Sequence, residues 1–286
     1  MYPDYPFESH FFNPGIAKLH YVDEGHGDVI VMVHGNPTWS YYYRRLITLL
    51  AEDHRVIAID HMGCGLSDKP QDYDYTLQNH IDNLHALLLE LGVKSFSLVV
   101  HDWGGAIGMG VAAKNTELLE RVLVLNTAAF RSQRIPFRIS ICRLPLIGEL
   151  LVRGFNGFAG PAISMAVSRK MAKETAKAFL APYNSWKNRV AVSAFVQDIP
   201  LYASHPSYQT LIDVETGLEK LQDSKVPMLI CWGGKDFCFN KSFYEEWCQR
   251  FPHAEYHYFE ESGHYVLEDS FDRIAPLARN FFRREE

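Results

Sequence analysis

The sequence predicts an α/β fold, a doubly wound, mostly parallel sheet with a helical insertion. Short apolar runs rich in β-branched residues recur along the chain and are typical of buried parallel strands. Helical patterns separate these runs, and strand alternating with helix is the signature of a doubly wound sheet. The strand-like runs occupy residues 29–35, 55–60, 95–101, 121–126, 228–233 and 254–259.

The clearest helical pattern lies between the second and third of these strands, at residues 75–92. Its apolar residues recur at spacings of three and four, which predicts one buried face. Gly92 provides a stop signal at the C-terminal end. The apolar positions are Leu77, Ile81, Leu84, Leu88 and Leu91.

The alternation stops between about residues 130 and 213. This stretch has apolar and aromatic residues at helical spacing, several Pro and Gly breaks, and no strand-like run of comparable quality. We therefore predict a core domain formed by residues 1–129 and 214–286, with a helical cap at 130–213 inserted after the strand at 121–126, the sixth strand of the fold. A cap over the strand ends would enclose an apolar pocket.

Composition limits the possible functions. A chain of 286 residues with a formal net charge of −6 offers no basic patch for nucleic acid. The N-terminal residues lack a signal-peptide pattern, and no apolar run is long enough for a membrane span. Five cysteines without metal-ligand spacing favour neither disulfides nor zinc, so we expect a cytoplasmic protein. We expect no metal or organic cofactor, because no ligand cluster has suitable spacing and no G-x-G-x-x-G follows a strand. The oligomeric state stays open.

Asp102 is the first candidate site residue. It follows the strand at 95–101 and precedes Trp-Gly-Gly, and a strand, sharp turn and helix in this order are typical of a nucleophile elbow. The glycine that usually lies two residues earlier is replaced by Val100, so the match is partial. The alternative is that Asp102 caps the N-terminus of a helix beginning at Gly104.

His264 and Asp236 complete the expected set. Ligands of doubly wound sheets bind at the carboxyl ends of the strands, and both residues follow a predicted strand. The chain order of nucleophile, acid and histidine fits a catalytic triad, in which Asp236 would orient the imidazole of His264. The alternatives are a turn aspartate and an ordinary surface or core histidine.

Several motifs resemble the haloalkane dehalogenase family of α/β-hydrolases over nearly the whole chain. They are HGNPTWS at 34–40, HMGCGLSDKP at 61–70, VVHDWGG at 99–105, WGGKD at 232–236 and GHYVLED at 263–269. Three further stretches resemble the branch of this family called subfamily III. They are LVLNTAAF at 123–130, LVRGFNGF at 151–158 and APYNSWKNRVAVSAFVQDIPL at 181–201. That branch overlaps the OleB-type β-lactone decarboxylases.

An aspartate nucleophile needs no activation, because its carboxylate is already an anion at neutral pH. It can displace a leaving group from a saturated carbon and form an ester, which water activated by His264 would then hydrolyse. The resemblance assigns the side chains of Asn36 and Trp103 to the halide or other leaving anion, and their backbone N–H groups to an oxyanion hole. The expected partners are therefore a small apolar substrate and water.

Four functions stay open from the sequence. Dehalogenation comes first, because anion donors without a second acid catalyst suit a leaving group that needs no proton. The OleB-type reaction, which gives a cis-alkene and carbon dioxide, follows closely. An epoxide hydrolase would need two cap tyrosines, for which Tyr183, Tyr202 and Tyr208 are candidates. A small-ligand receptor on the same fold is the non-enzymatic alternative.

Neighbouring polar residues receive lesser roles. Asn126 ends the sixth strand, near the point where another branch of the family places its catalytic acid, and an amide cannot serve as that acid. Asn126 could still donate a hydrogen bond to the site. His34 and His101 lie next to site residues and are expected to make supporting hydrogen bonds.

Overall fold

Eight strands form a single sheet in the computed structural model, which describes residues 2–283. Their spatial order is β1-β2-β4-β3-β5-β6-β7-β8. The strands are His10–Phe12 (β1), Leu19–Glu24 (β2), Val29–Val33 (β3), Arg55–Ile59 (β4), Phe96–Asp102 (β5), Leu119–Thr127 (β6), Met228–Gly233 (β7) and Glu255–Phe259 (β8). The predicted runs correspond to β3 through β8.

The strands from β3 to β8 run parallel to one another, whereas β1 and β2 are antiparallel. Parallel strands bring their carboxyl ends to one edge of the sheet, so the loops that carry Asn36, Asp102, Asp236 and His264 meet there. The doubly wound, mostly parallel α/β sheet predicted from the sequence is confirmed.

Helices cover both faces of the sheet. They are Arg44–Leu50 (α1), Leu77–Glu90 (α2), Trp103–Lys114 (α3), Phe137–Cys142 (α4), Ile147–Glu149 (α5), Ala159–Met165 (α6), Lys173–Leu180 (α7), Val190–Gln197 (α8), Tyr208–Asp223 (α9), Lys241–Arg250 (α10) and Val266–Phe282 (α11). Helix α2 begins after Thr76, whose side chain accepts a hydrogen bond from the N–H of Asn79.

The core consists of two apolar layers, one on each face of the sheet. Alternate residues of β3 separate between them: Val31 and Val33 pack with α2, α3, α9 and α10, and Ile30 and Met32 pack with α1 and α11. This alternation is the two-residue period expected of a strand that is buried on both faces.

An inserted helical region, α4 to α8, connects β6 to α9 and β7. Helix α9 packs closely on α3, since a Cβ atom on Gly217 would lie 2.2 Å from that of Ala113. The predicted boundary between residues 213 and 214 falls within α9, and the division into core and cap stays a prediction. Across residues 2–283, no helix has the length and apolar character needed to cross a bilayer.

Candidate active site

Asp102 lies at the point where β5 turns into α3. Its backbone has φ 52° and ψ −127°, a conformation rarely adopted by residues other than glycine. The turn is tight, because a Cβ atom on Gly104 would lie 1.9 Å from the carbonyl oxygen of Val33. Asp102 occupies the N-cap position of α3, which begins at Trp103 and not at Gly104, but its side chain makes no capping hydrogen bond to the helix.

Three groups surround Asp102. The N–H of Asn36 donates to its Oδ1 at 2.6 Å, and the hydroxyl of Thr127 donates to its backbone carbonyl. Nε2 of His264 lies 3.6 Å from Oδ2. Gly35 provides the space for this arrangement, since a Cβ there would lie 2.0 Å from Oδ1 of Asp102. The carboxylate is thereby fixed at the floor of a cleft.

His264 connects Asp102 to Asp236. Its Nδ1 lies 2.7 Å from Oδ2 of Asp236, so the imidazole is held between the two carboxylates. The other oxygen of Asp236 accepts hydrogen bonds from the N–H groups of Cys238 and Phe239, at 2.7 and 3.0 Å. The structure thus brings together the three residues predicted from the strand ends, in the order expected of a triad.

Asn126 is also part of this network. Its amide nitrogen donates to Oδ2 of Asp236 at 2.9 Å and to the carbonyl of Gly233 at 3.0 Å. Its oxygen accepts the N–H of Gly233 at 2.8 Å. Asn126 therefore ties β6 to β7 and orients the carboxylate of Asp236, and it is Asp236 that contacts the imidazole of His264.

The three triad residues are almost inaccessible to solvent, with exposed fractions of 8% for Asp102, 4% for Asp236 and 5% for His264. Burial alone would lower the pKa of His264, but the two carboxylates outweigh it and raise the pKa to about 10. Burial would likewise raise the pKa of Asp102, but the hydrogen bond and charge of His264 hold it below its ordinary value. At neutral pH the resting site therefore contains a carboxylate at Asp102 and a protonated His264.

Two neighbouring histidines make hydrogen bonds to the backbone of the site. Nε2 of His101 donates to the backbone carbonyl of His264 at 3.0 Å, and the two rings lie 4.4 Å apart. Burial lowers the pKa of His101 to about 3, so this ring stays neutral. Nδ1 of His34 donates to the carbonyl of Gly35 at 2.7 Å. Both contacts are the supporting hydrogen bonds expected from the sequence.

A cavity of about 390 Å³ lies above Asp102, within the range of small-molecule sites. Asn36, Trp103 and His264 line it together with mostly apolar residues of the inserted helices. The amide of Asn36 donates to the carbonyl of Val192 in α8 at 3.2 Å, which fixes its orientation. The ring of Trp103 packs against Phe195, with centroids 5.3 Å apart.

The three cap tyrosines considered for epoxide chemistry lie outside this cavity lining. The hydroxyl of Tyr183 donates to the carbonyl of Thr38 at 2.9 Å, and Tyr202 is 65% exposed to solvent. Within the described part of the chain, no cluster of three or more His, Cys, Asp or Glu side chains is arranged to hold a metal ion.

Thr127 and the amides of Cys238 and Phe239 are the site groups that sequence reasoning missed. Thr127 follows Asn126 at the carboxyl end of β6, so its position at the active edge of the sheet was an available signal. The two amides carry no such signal, because a backbone N–H is present in nearly every residue.

Comparison with known proteins agrees with this geometry. Residues 28–271 match the family model described as the alpha/beta hydrolase fold. A cis-3-alkyl-4-alkyloxetan-2-one decarboxylase of Shewanella oneidensis is 49% identical, covering 98% of this chain and 90% of its own length. A protein of the same name from Xanthomonas campestris is 40% identical, covering 99% and 98%.

Dehalogenases are related at greater distance. Haloalkane dehalogenase 2 of Mycobacterium tuberculosis is 29% identical over 95% of this chain and 93% of its own. The crystal structure of haloalkane dehalogenase DbeA from Bradyrhizobium elkani has a TM-score of 0.87 and 25% identity, covering 96% of this chain and 97% of that one. This chain therefore belongs to the α/β-hydrolase family of enzymes and is related to the haloalkane dehalogenases.

Proposed function

We propose that this protein is a β-lactone decarboxylase that converts a cis-3,4-dialkyl-oxetan-2-one into a cis-alkene and carbon dioxide. The observation that carries the proposal is the 49% and 40% identity, over nearly the whole chain, to two proteins named for this reaction. Dehalogenation, which the sequence alone placed first, is supported less well, because haloalkane dehalogenase 2 of Mycobacterium tuberculosis is 29% identical to this chain.

The first step uses the carboxylate of Asp102. One of its oxygens attacks the saturated ring carbon that bears the ring oxygen, a carbon–oxygen bond to Asp102 forms, and the ring carbon–oxygen bond breaks. The leaving group is the substrate's own carboxylate. The side-chain N–H donors of Asn36 and Trp103, which line the cavity, would stabilise that charge in an apolar environment.

The second step regenerates the enzyme. The bond between carbon and the new carboxylate breaks and releases carbon dioxide, its electron pair forms the carbon–carbon double bond, and the ester oxygen returns to Asp102 as a carboxylate. All atoms of the lactone leave as alkene and carbon dioxide, so neither water nor a redox partner is consumed. Attack from the back side places the Asp102 oxygen opposite the carboxylate, and elimination from that geometry keeps the two alkyl groups cis.

The protonation state of His264 fits this sequence of steps. A histidine with a pKa near 10 between two carboxylates carries a proton at neutral pH. With Asp236 still facing it, that cation would stabilise Asp102 as the leaving carboxylate of the second step, and no step of this reaction needs it to act as a base. Hydrolysis of an ester in the dehalogenase reaction would instead require His264 to lose this proton after Asp102 is neutralised.

Dehalogenation is the second candidate, favoured by the Asn36 and Trp103 donors around an aspartate and by the fold shared with DbeA. The epoxide hydrolase alternative is weaker, because the cap tyrosines lie outside the cavity lining. A receptor would bind the lactone without converting it, so it would form no alkene in the assay described next.

The test is incubation with a cis-β-lactone that bears two medium-length alkyl chains, in ¹⁸O-labelled water, for many turnovers. We expect cis-alkene and carbon dioxide from the wild type, none from Asp102→Asn, and no ¹⁸O in the peptide that contains Asp102. A parallel panel of bromoalkanes tests the second candidate, in which ester hydrolysis places solvent oxygen in Asp102. Halide release with labelled Asp102, and no alkene from the lactone, would overturn the proposal.

A further inference from the structure

The helical region over the cavity contains an unusual concentration of exposed apolar side chains. Of the twelve large apolar side chains that are exposed among residues 2–283, six lie within residues 137–155. We call these six residues the apolar cap face: Phe137 (78% exposed), Leu144 (46%), Leu146 (85%), Ile147 (56%), Leu150 (52%) and Phe155 (74%). Clustered exposed apolar groups of this kind mark interaction sites.

Leu146 is held outward by a strained turn. Its φ of 62° and ψ of −51°, with a 2.6 Å hydrogen bond from the N–H of Ile147 to the carbonyl of Pro145, form a γ-turn that is rare for a leucine. A glycine would adopt this backbone more easily. With 85% of its surface exposed, the leucine gains little from packing to offset this strained backbone.

The charge of the same segment is the reverse of that of the whole chain. Residues 131–155 contain five arginines and a single acidic residue, Glu149, whereas the chain has a net charge of −6. Glu149 is paired with Arg153 at 2.6 Å. The exposed Arg134 and Arg138 remain beside the apolar cap face, and a basic surface with apolar side chains complements an anionic lipid bilayer.

The same segment also contributes to the cavity lining. Arg134, Arg138, Ile139 and Leu151 are part of the cavity lining, so the apolar cap face and the substrate site share one short stretch of chain. A substrate and product with two alkyl chains would partition into a bilayer. A surface that docks the mouth of the cavity against lipid gives both molecules an apolar route.

We infer that the apolar cap face, with Arg134 and Arg138, docks this protein on the surface of anionic membranes. The inference extends the proposed function by naming where the substrate is taken up. Vesicle binding is measured without substrate, so its failure and the failure of the decarboxylase assignment are separate results.

The experiment is flotation of the full chain with vesicles of phosphatidylcholine alone, or of equal parts phosphatidylcholine and phosphatidylglycerol. We expect binding to the mixed vesicles only, weakened by salt and by the double variant Arg134→Gln, Arg138→Gln. Leu146→Gly should bind about tenfold more weakly, because it removes an apolar side chain that would be buried in lipid. Its melting temperature should equal or exceed that of the wild type, because glycine relieves the strained turn.

Ile16→Gly is the matched control, since Ile16 is 80% exposed and lies between β1 and β2, outside the cap. It should bind vesicles like the wild type. Absence of wild-type binding to the mixed vesicles at low salt would overturn the inference, as would equal losses in Ile16→Gly and Leu146→Gly. Self-association that Leu146→Gly abolishes, without any vesicle binding, would assign the apolar cap face to a second copy of the chain instead.

Discussion

Asn126 donates a hydrogen bond of 2.9 Å to Oδ2 of Asp236, the same oxygen that lies 2.7 Å from Nδ1 of His264. Asn126, the second-last residue of β6, thus orients the carboxylate that follows β7. Because Asp236 also accepts two backbone N–H groups, its position depends on Asn126 only in part.

Replacing Asn126 by alanine should therefore weaken the site without abolishing it. The variant loses its bonds to Asp236 and to both backbone groups of Gly233, so we expect the free energy of unfolding to fall by about 2 kcal/mol. Turnover should fall about tenfold. Asn83→Ala is the control in urea denaturation and kinetic assays, because it removes the hydrogen bond from the Asn83 amide to the Tyr73 hydroxyl, away from the site. Unchanged turnover in a stable Asn126→Ala protein would exclude a positioning role.

Asp102 occupies a backbone conformation that suits glycine, and a pair of variants measures what this costs. Asp102→Gly and Asp102→Ala both remove the nucleophile and should both be inactive. They differ by a single Cβ atom in a residue with φ 52° and ψ −127°, so the glycine variant should be more stable by about 1 kcal/mol or more. Thermal denaturation of the two proteins compares them directly, and equal stability would mean that the elbow is not strained.

Trp103→Phe tests the anion donor. The phenyl ring keeps the apolar contact with Phe195 but lacks the indole N–H. We expect kcat to fall about a hundredfold, as for the loss of one oxyanion donor, with a smaller change in KM. Trp186→Phe, an exposed cap residue outside the cavity lining, should retain wild-type kinetics on water-dispersed substrate. A kcat equal to that of the wild type would remove Trp103 from the chemistry.

The sequence predicted the parts of the fold that depend on burial. Strands β3 to β8 are apolar runs because both faces of the sheet are covered. The candidate site residues could then be located, because they lie at or just after the carboxyl ends of these strands. Strands β1 and β2 were missed, because they lie at the antiparallel edge, are partly exposed and carry polar residues such as His10 and Asp23.

The site could be predicted only as far as the chemistry of its side chains identifies it. Asp102, His264 and Asp236 have side chains whose chemistry is visible in the sequence, and the fold brings them together. The choice between a halide and a carboxylate leaving group is not encoded in these residues, since Asn36 and Trp103 would stabilise either anion. It depends on cavity shape, which arises from packing of the helices between β6 and β7.

The stability of the folded protein should decrease with rising pH because of His264. Its pKa is about 10 in the fold and near 6.5 in an unfolded chain. Below pH about 6.5 both states hold the proton, and the stabilisation by the two carboxylates is fully present. Between the two values only the folded state holds it, so each pH unit removes up to about 1.4 kcal/mol, until the contribution is lost above the folded pKa.

His264→Gln has no proton to lose in this window, so its stability should depend less steeply on pH than that of the wild type. Urea denaturation at several pH values between neutrality and pH about 10 gives the two slopes, and titratable groups remote from residue 264 cancel in their difference. His101→Gln is the control, because burial lowers the pKa of His101 to about 3 and this residue stays neutral throughout the window. Parallel curves for the wild type and His264→Gln would show that His264 is not a cation held between Asp102 and Asp236.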